Sequence, residues 1–489
     1  MATLKHADDT VVLASSEEDL QILLEVITIW CRKWQITPQA LKCECMVFEN
    51  TGMTCPTLQF AGAVLPVVQS VLYLGYQLSH RGTWKQHVDR RVDKADKWDG
   101  VARAMLGKTG GPPVSVVATV RDATAEAGIL YGAEFTGGTG TTILAAAAQR
   151  QVEMAKEILG LRASAENVGA LLELGWMGVE SKAKRARLMF WWRIGRTESA
   201  LMQQLEKQAH EHKLGADQIT KSSQYNWWRA TDDLVEHMAS ISGYPADTLR
   251  AMSKQKFRRV INHILWREEF DRRVEQCQSS TRLESYVAEL QHLAEEDAVW
   301  DSQRTKLPGA PYLAYVDNKF HARLLAMTRL GLLPIEIETG RWHGIPRAER
   351  LCRLCGNCIG DTKHFLHGCE KLTAERVTSL ESKATYTEAR GKELFFWRGV
   401  ARRVECRWRE RTSALRKQQG ELAHPAEAND AEVCEKIDSI IGLKPEPPAE
   451  EPGNASMREP HGKGAAKPRK KLQKRPRSFW HDGKQNMVK

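Results

Sequence analysis

The chain has 489 residues, 42% of them apolar and 27% charged, and a formal net charge of +10. That length suffices for roughly two to four domains with a substantial core. No apolar run reaches the roughly 18 residues of a membrane-spanning helix, which excludes that class and predicts no membrane partner. The N-terminus lacks the apolar core of a secretory signal, so the expected location is intracellular. The basic balance suits an anionic partner. Eleven cysteines in such a chain read as thiols and a metal site rather than a disulfide framework.

In chain order, Leu4-Lys5-His6-Ala7-Asp8-Asp9-Thr10-Val11-Val12-Leu13 places two adjacent carboxylates on a turn ahead of an apolar run. A β-hairpin holds such a pair at one end of a sheet. There it can bind Mg²⁺, which takes hard oxygen ligands, as in two-metal phosphoryl chemistry. Taken alone, an Asp-Asp pair is more often a solvated turn or a helix cap. Ser15 with Glu18 has capping-box spacing, and Leu20, Leu24, Ile27 and Cys31 recur at helical spacing up to a stop before Pro38. Trp34 to Phe48 reads as a helix end, a short loop and a strand carrying Lys42, with a solvated loop lysine as the plainer alternative. Residues 58–65 read as a bent hairpin and 71–76 as a strand with a Tyr73-Leu74-Gly75 turn.

From Trp84 the texture is helical. Lys85, His87, Arg90, Arg91, Lys94 and Lys97 stud the first helix, either as a phosphate-facing stripe or as a solvated face. Thr141-Thr142 should start a helix that Gly160 ends. Around Phe190-Trp191-Trp192, basic residues alternate with aromatics. A tryptophan core face with a basic outer face accounts for this better than a stacking surface for bases. Residues 393–419 form one more basic helix, interrupted by Gly399. The composition beyond it predicts disorder. The basic tract at 467–477 is a nuclear import signal, a nucleic-acid arm or a solvating tail.

The second informative stretch is Cys352-x2-Cys355-x8-His364-x4-Cys369. Two cysteines two apart clasp a metal from one turn, and a His and a Cys close the tetrahedron. Zinc is the expected ion, with Cys358 or His367 able to replace a neighbour. Buried unligated thiols or a redox pair are the plainer alternatives.

Taken together, these motifs resemble non-LTR (LINE-type) retrotransposon reverse transcriptases, from the Ala-Asp-Asp box to about residue 385. The family has Tyr or Phe at His6, usually Asn at Gln39, and Ser or Thr at Cys43. The element Leu130-Tyr131-Gly132-Ala133-Glu134 and the run Pro346-Arg347-Ala348-Glu349-Arg350-Leu351-Cys352 are also similar to LINE-type proteins.

The resemblance implies an α+β N-terminal fragment, a partial reverse transcriptase palm, at residues 1–82. Thumb-like helices at 83–160 and a helical connector at 161–342 would follow. A CCHC zinc knuckle at 343–385, a basic helix at 386–420 and a disordered basic tail at 421–489 would complete the chain. It implies Mg²⁺ on Asp8 and Asp9, Lys42 near the incoming deoxynucleoside triphosphate, and Tyr73, Leu74 and Gly75 at the primer. The partners would be an RNA template and a DNA primer or target. In the family, fingers and a further catalytic Asp precede the box. Since this chain starts just before it, the expectation is an RNA-directed DNA polymerase fragment that does not polymerise alone. The alternative is a non-catalytic, nucleic-acid-binding zinc-knuckle protein derived from such an element.

Overall fold

In the computed structural model of this chain, β1 (Ala2–His6) pairs antiparallel with β2 (Asp9–Leu13), His6 opposite Asp9. Residues 2–6, 9–48, 57–107, 111–136, 141–215, 227–295, 309–374 and 390–421 are described. Asp8 and nearly all of the tail, with its basic tract, lie outside the described residues. Helix α1 (Glu17–Lys33) follows the hairpin. Its cap is Ser16, whose hydroxyl accepts the Asp19 amide at 3.1 Å, so the true start lies one residue beyond the Ser15 spacing. Leu24 of α1 packs on Cys45, Leu58, Phe60 and Leu65, which fixes the stretch carrying Lys42 to the same helix. Two further hairpins follow, β3 (Gln59–Phe60) with β4 (Ala63–Val64), and β5 (Ser70–Tyr73) with β6 (Tyr76–Ser79). Each pair of strands is its own two-stranded antiparallel sheet.

The rest of the described chain is helical. Helix α2 (Lys85–Gly107) packs on β6, then on α3 (Val114–Arg121), α4 (Ala127–Ile129) and α6 (Thr141–Leu159). The short α5 (Ala133–Thr136) and α7 (Asn167–Glu173) lead to α8 (Val179–Ile194). Buried Ala95, Ala125, Ala147 and Ala183 let these helices approach closely. Helices α9 (Ala200–Gly215), α10 (Trp227–Ser242), α11 (Ala246–Ala251), α12 (Lys254–Gln278) and α13 (Glu284–Glu295) extend the array. Then come α14 (Lys319–Arg329), α15 (Glu336–Trp342) and the 32-residue α16 (Arg390–Glu421). No described helix is long and apolar enough to cross a membrane.

Much of the basic charge is turned inward. Arg121 is wholly buried, pairs with Asp99 and Glu126, and lies 5.0 Å from the Trp176 ring. Glu173 on α7 accepts Arg329 Nε at 2.9 Å and the Tyr312 hydroxyl at 2.7 Å, all three buried. Burial and the Glu173 carboxylate push the Tyr312 phenol well above its usual range, which keeps it a donor. Arg162 and Arg282 converge on buried Glu338. Beside Phe190-Trp191-Trp192, Lys182 pairs with Asp122 and Glu126, and Arg196 donates to the Met252 carbonyl. Trp191 is buried as expected, but these neighbouring cations also bond within the protein.

The stripe on α2 divides in the same way. His87 is buried, and Arg91 donates to the Gly128 carbonyl at 2.9 Å and sits 4.3 Å from the Tyr131 ring centre. Lys94 and Lys97 are exposed.

Candidate metal centre and the turns around it

The knuckle is built by short-range backbone bonds. Leu351 bridges Ile359, the Cys352 amide donates to the Cys358 carbonyl at 2.7 Å, and the Gly356 amide returns to the Cys352 carbonyl at 2.8 Å. This loop turns Cys352 and Cys355 to one side. Asp361 then starts the next turn by accepting the His364 amide at 2.7 Å, and the Cys369 amide closes it on the His364 carbonyl at 2.8 Å.

One ligand atom from each of Cys352, Cys355, His364 and Cys369 falls within 4.8 Å of the others. The Cys352 and Cys369 sulfurs are 3.9 Å apart, near the roughly 3.8 Å between sulfurs of a tetrahedral zinc site. Cys355 Sγ and His364 Nε2 are 3.4 Å apart. Cys358 and His367, which spacing left open, do not join the group. Burial opposes the Cys355 thiolate, but hydrogen bonds from the Asn357 and Cys358 amides and the Cys352 and Cys369 thiols together hold this thiol below its ordinary value. Burial pushes the Cys369 thiol up to about 11, against the Lys371 amide and with Cys352 and Cys355 alongside. A divalent cation would relieve that crowding, so the donor set fits zinc.

Residues outside the motif close the site. Arg411 on α16 is buried, pairs with Glu336 on α15, and lies 4.0 Å from Cys352 Sγ. Glu336 also accepts the Arg353 amide at 3.0 Å. One turn earlier on α16, buried Arg407 donates to the Phe365 carbonyl at 2.8 Å and the Ala374 carbonyl at 2.7 Å. Sequence reading picked out Arg407 only as part of a basic helix and missed Arg411 and Glu336. The available signal was the i, i+4 spacing of the two arginines.

The expected polymerase residues are placed as follows. Asp9 is exposed at the start of β2. Lys42 is exposed and ends a short 3₁₀ turn, Ala40–Lys42, where a strand was expected. Tyr73 ends β5, and Leu74 and Gly75 form the two-residue hairpin turn at φ 48° and 83°. Asp9 and Lys42 share the α1 side of the chain, while the Tyr73–Gly75 turn belongs to the hairpin that α2 packs against.

A second set of residues holds that turn. The Tyr131 hydroxyl donates to the Leu74 carbonyl at 2.7 Å, and its ring crowds Gly75. His87 Nε2 donates to the Tyr131 carbonyl at 2.8 Å while Nδ1 accepts the Gln77 amide at 3.2 Å, an arrangement for a neutral imidazole. Burial accordingly holds His87 below its ordinary value. The Tyr76 hydroxyl donates to Glu134 at 3.3 Å. A Cβ on Gly132 (φ 83°) would fall 2.8 Å from His87 Nε2 and 2.9 Å from the Tyr76 ring. Gly132→Ala should therefore destabilise the protein by about 1–3 kcal/mol, measured as a lower urea midpoint. An unchanged midpoint would contradict this packing.

No family model matches the chain, and no solved structure matches it. Over 89 residues it is 30% identical to an RNA-directed DNA polymerase from mobile element jockey of Drosophila melanogaster. The same identity and length hold for the corresponding protein of Drosophila funebris. The match covers 17% of this chain and 10% of each relative.

Proposed function

We propose that the chain derives from a LINE-type retrotransposon and represents part of its RNA-directed DNA polymerase. The observation that carries this reading is the 30% identity over 89 residues to the jockey polymerases. In this reading Asp8 and Asp9 would hold Mg²⁺, which would supply activation of the attacking 3′ oxygen and charge neutralisation of the leaving pyrophosphate. Lys42 lies near the triphosphate, and the Tyr73–Gly75 turn near the primer end. The partners are an RNA template and a DNA primer or target. Zinc on Cys352, Cys355, His364 and Cys369 orders the C-terminal module.

Asp9→Asn keeps the shape and removes the charge. With the chain joined behind a fingers segment that carries the family's further catalytic Asp, it should cut Mg²⁺-dependent nucleotide incorporation on a DNA-primed RNA template by on the order of 100-fold, while binding of the hybrid stays unchanged. Undiminished incorporation by this variant would remove Asp9 from the chemistry. A second reading, a non-catalytic zinc-dependent nucleic-acid binder, is supported by the convergence of the four ligands far from Asp9 in sequence. It predicts hybrid or RNA binding that is lost in Cys352→Ser, with no incorporation even when the chain is joined to that fingers segment. A chain that binds neither RNA nor an RNA–DNA hybrid at about 50 mM salt contradicts both readings.

A further inference from the structure

We propose that the hook between α15 and the knuckle, residues 342–353, is a binding surface for single-stranded nucleic acid, with Trp342 stacking on an unpaired base. This rests on the nucleic-acid reading above and goes beyond it by assigning the residues that bind.

The first observation is what the hook exposes. Residues 342–349 are all exposed, Trp342 to 46%, and Ile345 and Leu351 reach 38% and 44%. These three apolar side chains stand within ten residues of one another, beside the metal ligands.

The second observation is that the hook is held in place. Arg350 donates Nε to the Ile345 carbonyl at 2.8 Å and Nη1 to the Ile337 carbonyl at 2.9 Å, and the Ile345 amide bonds back to Gly340. The Trp342 ring is backed by Arg162 at 4.8 Å, and its Nε1 lies 3.4 Å from Glu338. One side of the indole is thus braced by the partly buried Arg162–Glu338 ion pair, and nearly half of the residue faces solvent. A pre-positioned aromatic loses little entropy on stacking.

The third observation is charge. Between 341 and 363 stand Arg341, Arg347, Arg350, Arg353 and Lys363, against Glu349 and Asp361. Arg347 (52% exposed, 3.2 Å from Glu284), Arg353 and Lys363 lie at the surface. A positive rim around an exposed aromatic matches a strand whose phosphates need neutralising and whose bases are free to stack. A duplex keeps its bases stacked on each other, so a single strand is the better fit.

The test uses the zinc-loaded 489-residue chain and a fluorescein-labelled 12-nucleotide oligo(dT), with affinity read by anisotropy across a salt series. Trp342→Ala should weaken binding about tenfold, and Trp342→Phe should restore most of it. Arg347→Ala with Arg353→Ala should flatten the log-log salt slope by about 0.7 for each phosphate no longer neutralised. Zinc content measured in every variant separates misfolding from a weakened surface. If wild type binds the oligomer and these variants bind equally well with the same slope, the surface is wrong and the nucleic-acid reading stands. If wild type fails to bind the oligomer but binds an RNA–DNA hybrid, the hook serves a different partner and the proposal falls. No binding to either overturns both.

Discussion

Stripping zinc from the loaded protein, or replacing Cys369 with Ser, is expected to unfold the module from Ile335 to Leu372 and to release α16 from it. Structural zinc in small finger peptides contributes about 10–16 kcal/mol of apparent binding energy at neutral pH, and that energy is folding energy. Here Cys352, His364 and Cys369 share one pocket wall with Ile335, Glu336, Phe365, Leu372 and Arg411, and Cys355 completes the ligand group. Three thiolates brought together without a cation repel one another, and the Cys369 thiol, pushed up to about 11 by burial first and by Cys352 and Cys355 after it, resists ionising there. With the sulfurs dispersed, Arg411 loses its approach to Cys352, and Arg407 loses the carbonyls that the knuckle turns present. The measurements are zinc content, expected near one ion per chain in wild type and near zero in Cys369→Ser, and amide exchange. Exchange should rise across 335–372 and along α16 and stay unchanged in α12. Full zinc content in Cys369→Ser would remove that residue from the ligand set.

Arg329→Met should cost about 3–5 kcal/mol, a large loss for one exposed-looking cation in the sequence. Arg329 and Glu173 are only 2% and 0% exposed, so the variant would leave a carboxylate in the core facing one neutral donor, Tyr312. The desolvation cost of that carboxylate is what the measurement reads, more than the attraction removed. Adding Glu173→Gln in the same chain removes the stranded charge and should recover a large share of the loss. The urea midpoints of the two single variants and the double give the coupling between them. Strict additivity would mean that the pair does not act as a unit.

The sequence disclosed what depends on neighbours and concealed what depends on faces. The knuckle was legible because its ligands lie within one short stretch and thiols at that spacing have few other uses. Helix α1 was legible to within a residue at its start, where Ser15 and Ser16 offer the same hydroxyl and only backbone geometry decides between them. The coarse plan, small antiparallel sheets followed by helices, also emerged from periodicity. The destination of the cations did not. Arg91 and Arg407 sit on basic stretches, yet each spends donors on carbonyls inside the protein. Their partners Gly128 and Phe365 lie 37 and 42 residues away, and no local pattern encodes that separation. The same holds for Tyr131 and Glu134, visible as a short familiar element but not as the brace on a hairpin 58 residues earlier.

The closure of the knuckle by α16 also sets an order on biosynthesis. Cys369 leaves the ribosome roughly 40 residues before Arg411, which at about 5–20 residues per second is a delay of a few seconds. During that interval the nascent chain already has every metal ligand, while Glu336 still awaits its guanidinium. Metal capture can therefore precede completion of the surrounding wall. A message cut short between these two codons would yield a protein able to take up zinc but with a carboxylate stranded against its sulfurs.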